Sequence, residues 1–248
     1  MLIIFLVAAA HAQSQRTLNE LRNHPKFLWR VDSLAPNAAI YYQDESWTSQ
    51  RIERVRQRIA AQIDSTKTFI GTAGYNHRVH LFVVSSREEM KNLIGYETDG
   101  TAFYTQHAVT GIAGVKTHSI YSNHEFFHLI SMNVWGLSDT WLNEGMAVYS
   151  DKKWQGHPLH ELTKYLVEHG RYIPLKGLMR KLRKFDSMVS YPLLGSFAMY
   201  LDTTYGREVI LRLWRGESLK RATGKSRSQL EKEWLGVIQR VNTRVVSY

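Results

Sequence analysis

The chain has 248 residues, 44% of them hydrophobic and 12% aromatic, with a formal net charge of +10 and no cysteine. That composition is globular and large enough to bury a core without disulfides. It excludes a disulfide scaffold, a thiolate metal site, a lipoprotein cysteine and cysteine catalysis.

Residues 1–12 form a short apolar run ending in Ala-His-Ala before Gln13. It is too short to span a bilayer and carries a small-residue cleavage signature, so it reads as an export signal, although no lysine or arginine precedes it. The mature chain is then expected to begin near Gln13 and to work outside the cytoplasm, secreted or periplasmic, with no transmembrane segment. Residues 37–42 read as an early strand. From 48 to 69, Ile52, Val55, Ile59 and Ile63 keep helical spacing until Gly71. Residues 77–84 read as a central strand, and Ser85 or Ser86 caps a short helix ending at Gly95. Two or three short strands follow between 100 and 121, broken by Gly111 and Gly114. After Ser122 the pattern is helical throughout, over 122–134, 140–150, 159–169, 175–184, 191–204, 207–214 and 228–241.

Strands first and helices afterwards predict an α+β architecture, with an α/β part over 13–121 and a helical part over 122–248. Charge follows the same division. Residues 171–248 hold 16 of the 32 Lys+Arg and 6 of the 22 Asp+Glu, so this part alone carries the +10. Such asymmetry suits an anionic partner, such as a cell-envelope surface. Without a recognition motif, no nucleic acid is expected. Residues 175–184 concentrate the charge, with Leu175, Leu178 and Leu182 at helical spacing. One apolar stripe is the default for a surface helix, so these leucines are expected in the core beneath a solvated basic face, rather than in a membrane.

Within the first helix after Ser122 lies His124-Glu125-Phe126-Phe127-His128. Histidines at i and i+4 share a helical face, so both imidazoles can reach one metal ion, and the glutamate between them can touch a metal-bound water. A catalytic zinc needs a third protein ligand. Glu144 is the first candidate. It sits between Trp141-Leu142 and Met146-Ala147-Val148, where a carboxylate is costly without a cation beside it. Asp139, also a candidate N-cap, and Asp151 are the alternatives. His107, His118, His157 and His160 read as surface or capping histidines.

His124-Glu-x-x-His128 followed by Trp141-Leu-Asn-Glu144-Gly-Met-Ala147 resembles the gluzincin metallopeptidases, in particular the peptidase MA-like families. The resemblance runs from about residue 39 to 234, and only the two metal motifs within it are strongly specific. It implies a thermolysin-like catalytic domain holding one zinc ion through His124, His128 and Glu144. It also implies Glu125 as general base, Tyr191 as the donor to the developing oxyanion, and a peptide or protein substrate. The cleft-edge strand would be 101–105 or 110–115. An alternative on the same scaffold is a silent module docking on anionic envelope surfaces through the basic half.

Overall fold

The computed structural model describes residues 16–33, 37–72, 74–114, 119–245 and 247–248. The apolar run 1–12 and His118 lie outside them. The architecture is α+β, a small mixed sheet followed by a mostly helical part, and the chain divides into two compact units, one ending at Asn133 and the other beginning at Val134.

The first unit opens with a short helix, α1 (Leu18–Arg22), fixed by a capping box. Thr17 accepts from the Glu20 amide at 3.2 Å, and the Glu20 carboxylate accepts from the Thr17 amide at 2.6 Å. Then come β1 (Trp29–Asp32), β2 (Ala38–Gln43), α2 (Ile52–Ile70), β3 (Val79–Val84), α3 (Arg87–Ile94), β4 (Gly100–Phe103), β5 (Ala108–Ile112) and α4 (His124–Val134). The sheet order is β1-β2-β3-β5-β4. β2, β3 and β5 run parallel, while β1 and β4 are antiparallel edges. β3 is buried along nearly its whole length, which is why its apolar run does not alternate. α2 buries Val55, Ile59, Ile63 and Ile70 and ends as expected at Gly71, whose left-handed backbone lets its amide reach the last-turn carbonyls.

Two departures from the sequence reading have local causes. α1 and β1 carry too few periodic residues to be foreseen. Gly111 does not break its strand; it pairs with Gly100 inside β5, and a Cβ there would lie 2.7 Å from Ile120 Cγ2. The glycine marks a close approach, not a turn.

The second unit holds α5 (Thr140–Asp151), β6 (Lys153–Trp154), β7 (His157–Pro158), α6 (Leu159–Glu168), α7 (Leu175–Lys181), α8 (Ser187–Tyr205), α9 (Arg207–Trp214), α10 (Leu219–Thr223) and α11 (Arg227–Gln239). It is therefore not all-helical. β6 and β7 form a hairpin whose two loop residues, Gln155 and Gly156, both have positive φ, as a type I′ turn requires. α5 and α8 pack closely where side chains are missing. A Cβ on Gly145 would lie 3.1 Å from the Leu194 carbonyl oxygen, and one on Gly195 would lie 2.4 Å from Val148 Cγ1.

α8 begins at Ser187, four residues before the expected start, and Pro192 sits inside it. Proline cannot donate to the carbonyl four residues back, which here belongs to Met188. The Tyr248 hydroxyl donates to that carbonyl instead, at 2.7 Å, so the orphaned acceptor is satisfied and the helix continues. Leu175, Leu178 and Leu182 are buried, as the apolar stripe predicted. Among the described residues, no helix is long and apolar enough to cross a membrane.

Candidate metal centre

α4 is anchored before its first histidine. Ser122 Oγ accepts from the His124 amide at 3.2 Å, and the Asn123 carbonyl accepts from Phe127 at 2.7 Å, so early N–H groups and the first helical turn are both satisfied. Phe126, Phe127, Leu129 and Ile130 are at most 1% exposed, which fixes the helix rotation. Phe127 meets Phe69 of α2 edge-on at 5.9 Å. With those side chains locked, His128 is buried, and His124 and Glu125 are half-buried.

The two imidazoles are edge-to-face, 85° apart with centroids 4.6 Å from each other. Their Nε2 atoms converge to 3.1 Å. Two nitrogens bound to one tetrahedral ion at about 2.0–2.1 Å would stand about 3.3 Å apart, so the observed spacing suits a shared cation.

Glu144 supplies the third group. Ligand atoms of His124, His128 and Glu144 all lie within 4.8 Å of one another, so the three could hold a metal ion. Glu144 is half-buried on α5, between Asn143 and Gly145, which are both buried. The rival carboxylates do not join the group. Asp139 occupies the N-cap position of α5, where its carbonyl rather than its side chain takes the Leu142 and Asn143 amides, and Asp151 is the last residue of that helix. Two imidazole nitrogens and a carboxylate oxygen form a donor set that fits a borderline divalent cation such as zinc.

Glu125 lies over the edge strand. A Cβ on Gly100, the first residue of β4, would fall 2.9 Å from Glu125 Cγ and 3.2 Å from its Oε1. Any larger residue at 100 would displace the carboxylate. The sequence offered one signal for this, a glycine opening a strand, which often marks the approach of another group. Of the two expected cleft-edge segments, 101–105 overlaps β4 at the sheet edge, while 110–115 overlaps the interior strand β5.

Tyr191 is in the second turn of α8 and packs against Trp154 of β6, with ring centroids 5.5 Å apart.

Other described histidines make packing contacts. In contrast to the surface or capping role its sequence context suggests, His160 is half-buried and the N-cap position of its helix belongs to Pro158. The His160 Nδ1 lies 2.9 Å from Ser196 Oγ, which also accepts from Trp234 Nε1 at 3.0 Å, and burial holds its pKa below the usual histidine value. His157 meets Tyr248 edge-on. His107 stacks on His77 at 3.9 Å, a pairing the sequence did not reveal because 30 residues separate them.

No protein-family model matches the chain, and no curated protein is significantly similar to it in sequence.

Proposed function

We propose that the chain is an exported zinc-dependent peptidase of the gluzincin type. The convergence of His124, His128 and Glu144 within 4.8 Å carries the proposal, because three N/O ligands leave a fourth position open. His124, His128 and Glu144 would hold the zinc. When bound, a zinc ion in such a site supplies Lewis acidity, bringing the pKa of water down to about 7 and polarising a carbonyl.

The chain's own groups do the rest. Glu125, placed next to the ligand His124 and over Gly100, accepts the proton of the water that attacks the scissile carbonyl carbon. It then returns that proton to the departing amine nitrogen. Tyr191 is assigned the hydrogen bond to the developing oxyanion, a task suited to a phenol. An extended peptide would pair along the free edge of β4, where main-chain hydrogen bonds give affinity without demanding a particular sequence.

A mixed peptide library, incubated with and without chelator and read by mass spectrometry, tests the proposal. Chelator-sensitive cleavage is expected with about one zinc per chain. Glu125→Gln should keep the zinc and lose activity by about 10²- to 10⁴-fold, the usual worth of a positioned base. A parent protein that takes up no zinc, or a Glu125→Gln variant that cleaves as fast as the parent, would overturn it.

A further inference from the structure

Away from the metal group, the second unit has a surface depression of about 460 Å³ beside α7. Its carbon-rich lining comes from Tyr172, Ile173, Pro174, Gly177 and Phe185, and three cations, Lys176, Arg180 and Lys181, share it. The missing side chain at 177 lets Phe185 and Ile173 close onto the helix backbone, and these three residues form one wall of the hollow. A Cβ on Gly177 would lie 3.1 Å from Phe185 Cζ and 3.4 Å from Ile173 Cγ2, so the phenyl ring lies directly across the helix backbone.

Among the described residues, no salt bridge joins Lys176, Arg180 or Lys181 to a carboxylate, although the chain's other surface cations repeatedly find one. Glu231 does not line the depression. It is occupied by the Leu175 amide at 2.7 Å and by the Tyr172 hydroxyl, whose pKa is raised by burial and by that bond. Three like charges gathered around an apolar hollow repel one another and await an anion.

We propose that this depression binds a free single-chain anionic amphiphile, a fatty-acid carboxylate. The acyl chain lies against Phe185, Ile173 and Pro174, and the head group meets Lys176, Arg180 and Lys181. Its volume is that of small-ligand pockets, which pair an apolar lining with a few polar groups.

The shape favours a free chain over a bilayer. The leucines of this segment, Leu175, Leu178 and Leu182, are turned into the core, so α7 has no convex apolar face to insert among lipids. The exposed carbon is concave instead, and receives a chain. A peptide is also less suited, because no strand borders the hollow to satisfy its main chain.

The test is calorimetric titration of the full chain with dodecanoate, below its micellar range, beside dodecanol, an acidic leucine-containing peptide and phosphatidylglycerol vesicles. Saturable dodecanoate binding near one per chain is expected, with dodecanol weaker by about tenfold, the worth of a few exposed charge contacts. In the triple variant Lys176→Gln, Arg180→Gln, Lys181→Gln, dodecanoate should fall to the dodecanol level while dodecanol is unchanged. Raising salt should weaken the acid and spare the alcohol. Equal binding of acid and alcohol, insensitivity to the triple variant, or binding only to vesicles or only to the peptide would each overturn the proposal. Zinc content and peptidase activity play no part in this readout, so the two proposals fail separately.

Discussion

Two histidine pairs in this protein have opposite characters, although all four residues lie in its first unit. His124 and His128 stand edge-to-face at 85°, with Nε2 atoms 3.1 Å apart. His77 and His107 lie almost parallel, 9° apart, with centroids 3.9 Å from each other. An imidazole lone pair lies in the ring plane. Parallel stacked rings therefore send their lone pairs along parallel planes that do not meet, whereas crossed rings can aim theirs at one point. A carboxylate completes the first pair, and among the described residues no metal-holding group forms at the second. Proximity of histidines is thus not enough for a metal-holding group; their lone pairs must converge and a carboxylate must join them.

The strongest way to break this comparison is to remove a histidine from each pair, or the carboxylate that joins the first. His128→Ala or Glu144→Ala should reduce zinc affinity by more than about 100-fold, beyond the 10- to 100-fold that outer hydrogen-bond partners are worth. His77→Ala and His107→Ala should leave it unchanged, as read by equilibrium dialysis against a zinc indicator. Heating gives a second readout. Zinc at about 100 times its dissociation constant should stabilise the parent by about 2.7 kcal/mol, a rise of roughly 5–10 °C in Tm for a chain of this size. The Glu144→Ala variant should show none of that rise. Zinc-dependent stabilisation that survived Glu144→Ala but vanished in His107→Ala would reverse the assignment.

Acid should sharpen the contrast, with a smaller effect. Burial, and secondarily His77, hold the His107 pKa below its usual value. Nearby, His80 is pushed from 6.5 down to about 4, first by burial, then by Arg22, Arg78 and His107. The Arg22 guanidinium and the Tyr41 hydroxyl both lie 3.2 Å from its Nδ1, and the guanidinium can only donate, which favours the neutral ring. Both histidines bind protons more weakly when folded than when unfolded. As pH falls below about 6.5 the unfolded chain therefore takes up more protons, and stability is lost, with His80's share gone by about pH 4. Thermal melts with zinc chelated should show Tm falling across that window, and His80→Gln should flatten the fall. An identical profile in the variant would remove His80 from the account.

The converging pair was legible in the sequence because its geometry is local. Four residues along a helix fix two side chains on one face, and Glu144 betrayed itself as a carboxylate in an apolar run. The stacked pair was not legible. His77 precedes β3 and His107 precedes β5, and only the parallel pairing of those strands, with His80 opposite Ala108, brings them level. The closeness of Glu125 to Gly100 was hidden for the same reason, since it joins a helix to a sheet edge. The start of α8 misled for another reason. Pro192 reads as a helix start, and nothing local announces that Tyr248, 56 positions later in the sequence, donates to the carbonyl the proline leaves open. Helical periodicity reports a chain's own turn, whereas partners across strands are fixed by register.

The finest distinction between the pairs lies in what holds each ring. Tyr75 is only 2% exposed, and its hydroxyl lies 3.1 Å from His107 Nδ1. Burial raises the phenol pKa well above its usual value, so it stays protonated and can donate to that nitrogen. Tyr75→Phe keeps the ring, and with it the Lys67 ammonium 5.8 Å above, but removes the donor and leaves His107 Nδ1 without it. Losing one such buried bond should cost about 1 kcal/mol, or roughly 2–4 °C in Tm. Zinc uptake should not change, because neither His77 nor His107 belongs to the metal-holding group. A Tyr75→Phe protein that melted like the parent would show the hydroxyl idle. One that lost zinc affinity would show the two histidine pairs to be coupled, and the contrast drawn from their ring angles would fail.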